Sequence, residues 1–369
     1  MSKKENIITI ILFSVFIVFG LISFVLVPDK EFSDNENRYL AQIPNVEFDK
    51  VASGEFMKEW EAYVSDQFVG RDTYMLVGGK YKYYLGMKDI NGVFIGKDGY
   101  MLSVIDKNSV DHERIGKNIN YINRFLSQCN ENEKIEDTAF MLVPDAAILL
   151  KDKLPKGMDI CWEQKLLEDI RNEIDNAKII LPENSMVKME EQLYYFTDHH
   201  WTGYGAYGAY MEYCKELGLT VNEATLSSVN KEFYGSLYSK VLFAEKMDEV
   251  VVDETKADIK IIKDGTESAL YDYSALDKKD KYLLFQGGNY GMVEIEGNGE
   301  GVLLVIKDSF ANSFVPFLTE NYEKIIMLDM RYYMGNVAML CEKESVSNVL
   351  VLYSLSNFIS DENMIKLGL

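Results

Sequence analysis

A long hydrophobic segment without charged residues lies near the start of the chain, and charged residues recur throughout the rest. Residues 7–27 are Ile, Leu, Phe and Val, interrupted only by Gly, Ser and Thr, and none is charged. A helix of this length is about 30 Å long, which matches the hydrocarbon core of a bilayer. Lys3 and Lys4 precede the segment and acidic residues follow Pro28, so the positive-inside rule places the amino terminus in the cytoplasm. The pattern predicts a single-pass anchor of the cytoplasmic membrane with the rest of the chain outside.

A cleaved signal peptide is the alternative to this anchor. Signal peptides have shorter apolar cores and end in small residues, whereas this segment ends in Phe24–Pro28, which contains none. We therefore favour the anchor. The predicted organisation is a cytoplasmic tail at 1–6, a transmembrane anchor at 7–27, a linker at 28–45 and a folded extracytoplasmic domain at 46–369.

Beyond the linker, short apolar runs alternate with segments of helical spacing. This alternation predicts an α/β sandwich with a largely parallel sheet. Residues 219–300 break the rhythm with two short strands, near 248–252 and 258–263, and we expect them to form an insertion beside the main sheet. The remaining predicted elements are a hairpin at 91–102, strands near 138–143, 177–181, 301–306 and 349–353, and helices near 55–76 (interrupted near Gly70), 109–129, 163–176 and 203–217.

Charge and cysteine content narrow the function. A formal net charge of −21 argues against nucleic acid as a partner, because binding it requires basic patches. The four cysteines form no C-x-x-C pair, so the sequence indicates neither a zinc knuckle nor a redox motif. One or two disulfides and simple burial as small apolar residues both remain open.

The rare histidines indicate where chemistry could occur. The chain has three, and two are adjacent, at His199 and His200. Asp198 lies two positions before His200, and on extended backbone this spacing places both side chains on one face. The carboxylate can then fix the imidazole tautomer and leave the other nitrogen as a general base. A D-x-H sequence can equally be structural.

Ser309 is the best candidate for a nucleophile. It follows a predicted central strand directly, at the carboxyl end where α/β sheets place reactive groups. Backbone N–H groups at Ser309 and at the start of the next helix could face a developing oxyanion. A serine in this position is also a common helix N-cap, and Asp308 could be that cap instead.

The tetrapeptide at 198–201 is the signature of the DHHW family, which the chain resembles. That family is similar to the SGNH-hydrolase-like domain of alginate O-acetyltransferases, in which a D-x-H pair precedes a Ser in a D-S-F turn. The resemblance implies a flavodoxin-like three-layer sandwich and a triad of Asp198, His200 and Ser309. Further stretches that resemble the family are Glu36–Arg38 with Leu40, Asp66–Phe68 with Arg71, the 92–102 hairpin, Gly287–Asn289 and Asp329–Tyr333.

The resemblance also raises questions at individual positions. The Gly that usually opens the G-D-S block is Lys307 here, which changes the backbone options of the turn. Asn289 is either an amide donor to the oxyanion or a turn residue, and Arg331 and Tyr332 either contact substrate or pack. Trp201 either stacks on a sugar or lies in the core under the histidine loop. The tyrosines that follow at helical spacing favour the core position.

These patterns predict an extracytoplasmic serine acyl-transfer enzyme without a cofactor or metal, an O-acetyltransferase or acetylesterase of a cell-surface polysaccharide. The resemblance implies a membrane-embedded acyltransferase as partner. One alternative is a non-catalytic glycan-binding envelope protein of the same fold, in which Ser309 and His200 lie too far apart for proton transfer. Another is a metal-dependent hydrolase with Asp198, His199 and His200 as ligands, which the lack of a further suitably spaced histidine disfavours.

Overall fold

The computed structural model describes residues 3–36 and 38–368. Met1 and Ser2 of the predicted tail, Asn37 and Leu369 therefore lie outside the described residues. The helices are α1 Lys3–Leu26, α2 Phe48–Ser53, α3 Glu55–Asp66, α4 Arg71–Tyr84, α5 His112–Asn130, α6 Ala146–Leu149, α7 Cys161–Asn172, α8 Glu183–Met186, α9 Gly203–Leu217, α10 Ser236–Val241, α11 Ala311–Phe314, α12 Val337–Glu344 and α13 Leu355–Ser360. The strands are β1 Phe32–Ser33, β2 Arg38–Tyr39, β3 Asp89–Ile90, β4 Val93–Ile95, β5 Met101–Leu102, β6 Asp137–Val143, β7 Lys178–Ile180, β8 Leu226–Phe233, β9 Asp248–Asp253, β10 Lys260–Lys263, β11 Thr266–Ala269, β12 Met292–Glu296, β13 Val302–Lys307, β14 Lys324–Leu328 and β15 Asn348–Ser354.

The amino-terminal helix α1 has the length and composition of a membrane span. Its stretch Asn6–Phe24 is the one part of the described chain that passes this test, and none of it is buried. Its length and its apolar composition match the hydrocarbon core of a bilayer. The predicted anchor and this helix coincide within a few residues.

The chain forms two compact units. The first comprises the described residues up to Met87 together with Ser239–Phe243, and the second comprises Lys88–Tyr238 and Ala244 onward. Within the first unit, Arg38 donates to both carboxylate oxygens of Asp66, at 2.8 and 2.6 Å, and to Glu36 at 2.9 Å. Arg71 pairs with Glu36 from the other side. The family-like stretches around residues 36 and 66 therefore form one ion-pair cluster.

An eight-stranded sheet forms the centre of the second unit, in the order β11-β10-β12-β14-β13-β15-β6-β7. The five strands from β14 to β7 are mutually parallel, and β12, β10 and β11 extend the sheet antiparallel. The mixed α/β class with a large, mostly parallel sheet is thus as predicted. β14 is a strand of this sheet that we did not predict.

Residues 219–300 are placed differently from our expectation. β8 and β9 do pair with each other as a separate two-stranded sheet. β10, β11 and β12, however, are hydrogen-bonded into the main sheet rather than lying beside it. The reason is that β14 would otherwise be an open edge, and β12 pairs with it along its whole length.

Both faces of the main sheet are buried. In β13, Leu303 and Val305 contribute to the core on one face, which α9 and α11 cover. Leu304 and Ile306 contribute to the core on the other face, which α5, α7, α12 and α13 cover. Burial on both faces explains why β13 is a continuous apolar run without alternation. It also leaves the carboxyl edge of the parallel strands as the place where polar residues gather.

Candidate active site

Asp198 and His200 lie in the loop that leads into α9. The Asp198 Oδ1 atom accepts the His200 backbone N–H at 3.0 Å and lies 2.6 Å from its Nδ1 atom. The backbone between them is bent rather than extended, which corrects our expectation. One carboxylate oxygen thus fixes both the turn and the imidazole ring. Nδ1 carries the proton in this arrangement, which leaves Nε2 as the basic nitrogen.

The Asp198 carboxylate is buried, and its second oxygen accepts the Ser236 backbone N–H at 2.7 Å. Burial by itself raises the pKa of this carboxyl, but the two neighbouring imidazoles and these hydrogen bonds outweigh it and hold the pKa well below its usual range. Asp198 therefore stays ionised. Gly235 packs directly on it, because a Cβ atom at this position would lie 2.7 Å from Asp198 Cγ.

A second buried carboxylate supports the loop from behind. Asp248 accepts the backbone N–H groups of Phe196 and Thr197 at 2.6 and 2.8 Å, and the Thr197 hydroxyl at 2.6 Å. Burial raises the pKa of Asp248 to about 6, although these three bonds oppose the shift. No sequence signal pointed to Asp248, because it comes from β9, fifty residues along the chain.

Ser309 lies in the turn after β13, and its Oγ atom is 2.7 Å from His200 Nε2. Asp308 shapes this turn: its carboxylate accepts the N–H of Phe310 at 2.9 Å and, on the other oxygen, the N–H and hydroxyl of Ser354 at 2.8 Å each. Asp308 is therefore buried and connects the carboxyl ends of β13 and β15 through hydrogen bonds. Within the described part of the chain, the Ser309 N–H donates to no other group.

Tyr282 fixes the plane of the His200 ring. The two rings are stacked, with centroids 3.8 Å apart and planes 9° from parallel, and Phe310 approaches the imidazole at 4.9 Å. The Tyr282 hydroxyl is 3.0 Å from the Ser309 carbonyl oxygen and 3.1 Å from Ser313 Oγ. Tyr282 contacts both partners of the His200–Ser309 pair, and nothing in its sequence surroundings indicated this.

The structure brings Lys307 and Asn289 to the same edge of the sheet. Lys307 is buried, and its Nζ atom lies 2.8 Å from the side-chain oxygens of both Asn289 and Asn312. Its nearest carboxylate is Asp329, at 3.8 Å. Burial lowers the pKa of Lys307 to about 8, although Asp329 acts in the opposite direction.

The other predicted contact residues fall into two groups. Arg331 pairs with the buried Asp329 through two bonds, at 2.9 and 2.6 Å, and lies over the Tyr332 ring. Tyr332 is 55% exposed and follows the carboxyl end of β14, beside that of β13. Trp201 is different: it is 0% exposed, and its N–H donates to Phe310 O and Ser313 Oγ. A substrate role for Trp201 is wrong, because no face of its ring is accessible to a sugar.

Three ring nitrogens of the adjacent histidines already have hydrogen-bond partners. Ligand atoms of Asp198, His199 and His200 do lie within 4.8 Å of one another. Both ring nitrogens of His200, however, already face Asp198 and Ser309, and His199 Nδ1 lies 2.6 Å from Ser236 Oγ. A metal bound by His200 would have to displace Asp198 or Ser309 from the ring. The non-catalytic alternative also expected Ser309 and His200 to be far apart, and they are in hydrogen-bond contact.

Fold and site together define an α/β protein with an Asp–His–Ser hydrogen-bonded chain at the carboxyl edge of its parallel strands. The model of the DHHW protein family matches residues 141–328, a span that contains all three side chains. The chain belongs to this family.

Solved structures resemble this chain over most of its length. A DHHW family protein from Eubacterium siraeum is 21% identical, with a TM-score of 0.62 over 76% of this chain and 96% of its own. Bacillus cereus PatB1, also solved with a sulfonyl adduct, is 22% identical, with a TM-score of 0.61 over 74% and 97% of the two chains. The O-acetyltransferase domain of Pseudomonas putida AlgJ is 14% identical, with a TM-score of 0.46 over 73% and 93%. No curated protein matches the chain.

Proposed function

We propose that this chain is a serine acyl-transfer enzyme, an O-acetyltransferase or acetylesterase of a cell-surface polysaccharide, anchored by α1 with its folded part outside the cytoplasmic membrane. The observation that carries the proposal is the continuous chain of contacts from Asp198 through His200 to Ser309, at 2.6 and 2.7 Å. A serine needs such a base to act as a nucleophile at neutral pH. An SGNH-like three-layer fold belongs to the same proposal.

Ser309, His200 and Asp198 have different roles in the reaction. Ser309 Oγ attacks the acyl carbonyl carbon while His200 Nε2 removes the hydroxyl proton, and Asp198 stabilises the imidazolium that forms. The tetrahedral intermediate collapses when His200 returns the proton to the departing oxygen, which leaves an acyl ester on Ser309. A sugar hydroxyl or water then attacks that ester with His200 again as the base, and Ser309 is regenerated.

The oxyanion is held by the backbone N–H of Ser309 and by the side chain of Asn289. The Ser309 N–H is uncommitted within the described residues, whereas the Phe310 N–H already donates to Asp308. Each donor of this kind is worth about 100-fold or more in turnover, because it acts only on charge that develops in the transition state. Arg331 and Tyr332, beside this edge, are the proposed contacts to the polysaccharide.

The partner that supplies the acyl group is proposed from the family resemblance. A membrane-embedded acyltransferase would export the acyl group, and an anchored enzyme would meet it at the outer surface. No cofactor is part of the proposed reaction, because acyl transfer between oxygens requires only a nucleophile, a base and an oxyanion site.

The test is turnover of a chromogenic acetyl ester by the full chain in detergent. Ser309→Ala and His200→Ala should abolish turnover and retain the folded state by circular dichroism. The matched control is Ser360→Ala, because Ser360 is an exposed serine on α13 and its loss should leave turnover unchanged. An aryl sulfonyl fluoride should sulfonylate Ser309 in the wild type only, with a mass gain equal to that of the reagent less HF, because Ser309 Oγ displaces fluoride. Turnover that survives Ser309→Ala would reject the proposal, and a folded wild type that binds glycan without turnover would favour the binding protein.

A further inference from the structure

A buried lysine lies two residues before the proposed nucleophile. Lys307 is the last residue of β13, and its side chain is 0% exposed. A buried ammonium is costly unless polar groups replace its water, and here two carboxamide oxygens and a more distant carboxylate do so. The nearest partners are neutral, so a simple ion pair does not account for its position.

The ammonium determines how Asn289 and Asn312 are oriented. An ammonium has donors only, so each carboxamide must present its oxygen to Lys307 Nζ, at 2.8 Å in both cases. Asn312 also donates its own NH2 to the Asn289 oxygen at 3.2 Å. The Asn289 oxygen therefore faces two donors on the buried side. Among residues 3–36 and 38–368, the Asn289 NH2 group donates to no acceptor, so it is the half of the carboxamide that remains for a substrate.

The chain before Asn289 is shaped to bring this side chain to Lys307. Gln286, Gly287 and Gly288 have φ angles of 63°, 75° and 120°, so three successive residues adopt left-handed backbone conformations. For Gln286 this conformation costs of order 1 kcal/mol and persists only because the surrounding structure imposes it. Asn312, the third member of the set, lies one helical turn after Ser309 and donates its backbone N–H to the Ser309 carbonyl at 3.2 Å.

We propose that Lys307 is a positioning residue, which locks the Asn289 carboxamide with its NH2 directed to the acyl oxygen at Ser309. This inference rests on the proposed function. Asp329 holds the lysine in turn: it lies 3.8 Å from Nζ and is itself fixed by Arg331. The bond to the substrate comes from Asn289, and Lys307 acts only through it.

The first experiment compares Lys307→Met, Asn289→Ala and the double variant in acetyl ester turnover. Each single change should lower kcat by about 100-fold with little change in KM, because an oxyanion donor acts in the transition state. The double variant should be no slower than Asn289→Ala, because the lysine acts through the asparagine. Multiplied losses, or wild-type kcat in Lys307→Met, would overturn the proposal.

The control for removing a lysine is Lys324→Met. Lys324 lies at the opposite end of the neighbouring strand β14 and pairs with Glu294 and Glu344 at 2.6 and 2.7 Å. Its loss should lower thermal stability without changing kcat. A fall in kcat equal to that of Lys307→Met would mean that general destabilisation explains both.

Asn289→Asp tests the proposal without disturbing the buried lysine. A carboxylate offers Lys307 a stronger acceptor, so the folded state should be retained, but it has no NH2 group. Its kcat should fall at least as far as that of Asn289→Ala. Normal turnover would show that Asn289 only accepts a hydrogen bond from the lysine, and would overturn the proposal even if Lys307→Met does not fold.

A crystal structure of Lys307→Met separates this inference from the proposed function. If wild type and Ser309→Ala are equally inactive on acetyl esters, the proposed function fails, but the geometric claim can still be measured. The Asn289 carboxamide should leave its position or rotate when Nζ is absent. An unchanged Asn289 with full order would overturn the positioning role.

Discussion

Gly235→Ala should uncouple the proposed triad by displacing Asp198. A Cβ atom at Gly235 would lie 2.7 Å from Asp198 Cγ and closer still to Asp198 Cβ and Oδ2. An ordinary contact begins near 3.4 Å, so the two residues must separate by roughly 1 Å. Rotation of the carboxylate cannot relieve the contact with Cβ, so the backbone itself must move.

The displacement of Asp198 should break or lengthen its hydrogen bonds to His200 and Ser236. Its Oδ1 atom is 2.6 Å from His200 Nδ1, and its Oδ2 atom accepts from Ser236, the residue next to the substitution. A misplacement of about 1 Å in a catalytic group can reduce turnover about 100-fold. Overpacking should also cost about 1–3 kcal/mol in the free energy of unfolding. We expect a folded protein with much lower kcat and a slightly lower melting temperature.

The assay is acetyl ester turnover and thermal unfolding of the full chain in detergent. Gly116→Ala is the matched control, because Gly116 lies inside α5 and an added Cβ there meets nothing within 4 Å. It should leave kcat unchanged and stabilise the protein by about 0.5–1 kcal/mol, since alanine favours the helix. A folded Gly235→Ala protein with wild-type turnover would refute the reasoning about Asp198.

Three further outcomes follow from particular contacts. Tyr282→Phe should keep the stacked ring and most of kcat, but it should lose about 1 kcal/mol of stability because the hydroxyl contacts are lost. Tyr282→Ala should lower kcat at least 10-fold, because the ring is lost as well. Equal kcat in both variants would contradict a role for the ring. Burial raises the pKa of Glu163 to about 7. The folded state therefore binds more protons than the unfolded state between about pH 4.5 and 7. The free energy of unfolding should fall as pH rises through that window, by up to about 3 kcal/mol. Glu163→Gln should flatten this dependence in melting temperature measured from pH 4 to 8, and an unchanged slope would contradict the assignment. Arg38→Ala should expose the chain near Asp66 to limited proteolysis, because it leaves that carboxylate without its two bonds; a wild-type digestion pattern would show that the cluster does not hold this region.

Local patterns determined the parts of this protein that depend only on neighbours in the chain. The hydrophobic segment at 7–27 specified a helix of membrane length, and the apolar run before Ser309 specified a strand buried on both faces. The D-x-H spacing placed Asp198 and His200 together although their backbone is bent, because one carboxylate oxygen can serve the backbone and the ring at once.

Tertiary structure decided what distant residues do. Tyr282, Asp248 and Gly235 contact or support the histidine loop from separate parts of the chain, and no spacing in the sequence relates them. For Trp201, tertiary packing removed a role that the residue type allowed: a tryptophan can stack on a sugar, but both faces of this ring are buried. The sequence alone specified which groups could react. The fold specified which of them meet, because burial and hydrogen bonding at the sheet edge are set by all the strands together.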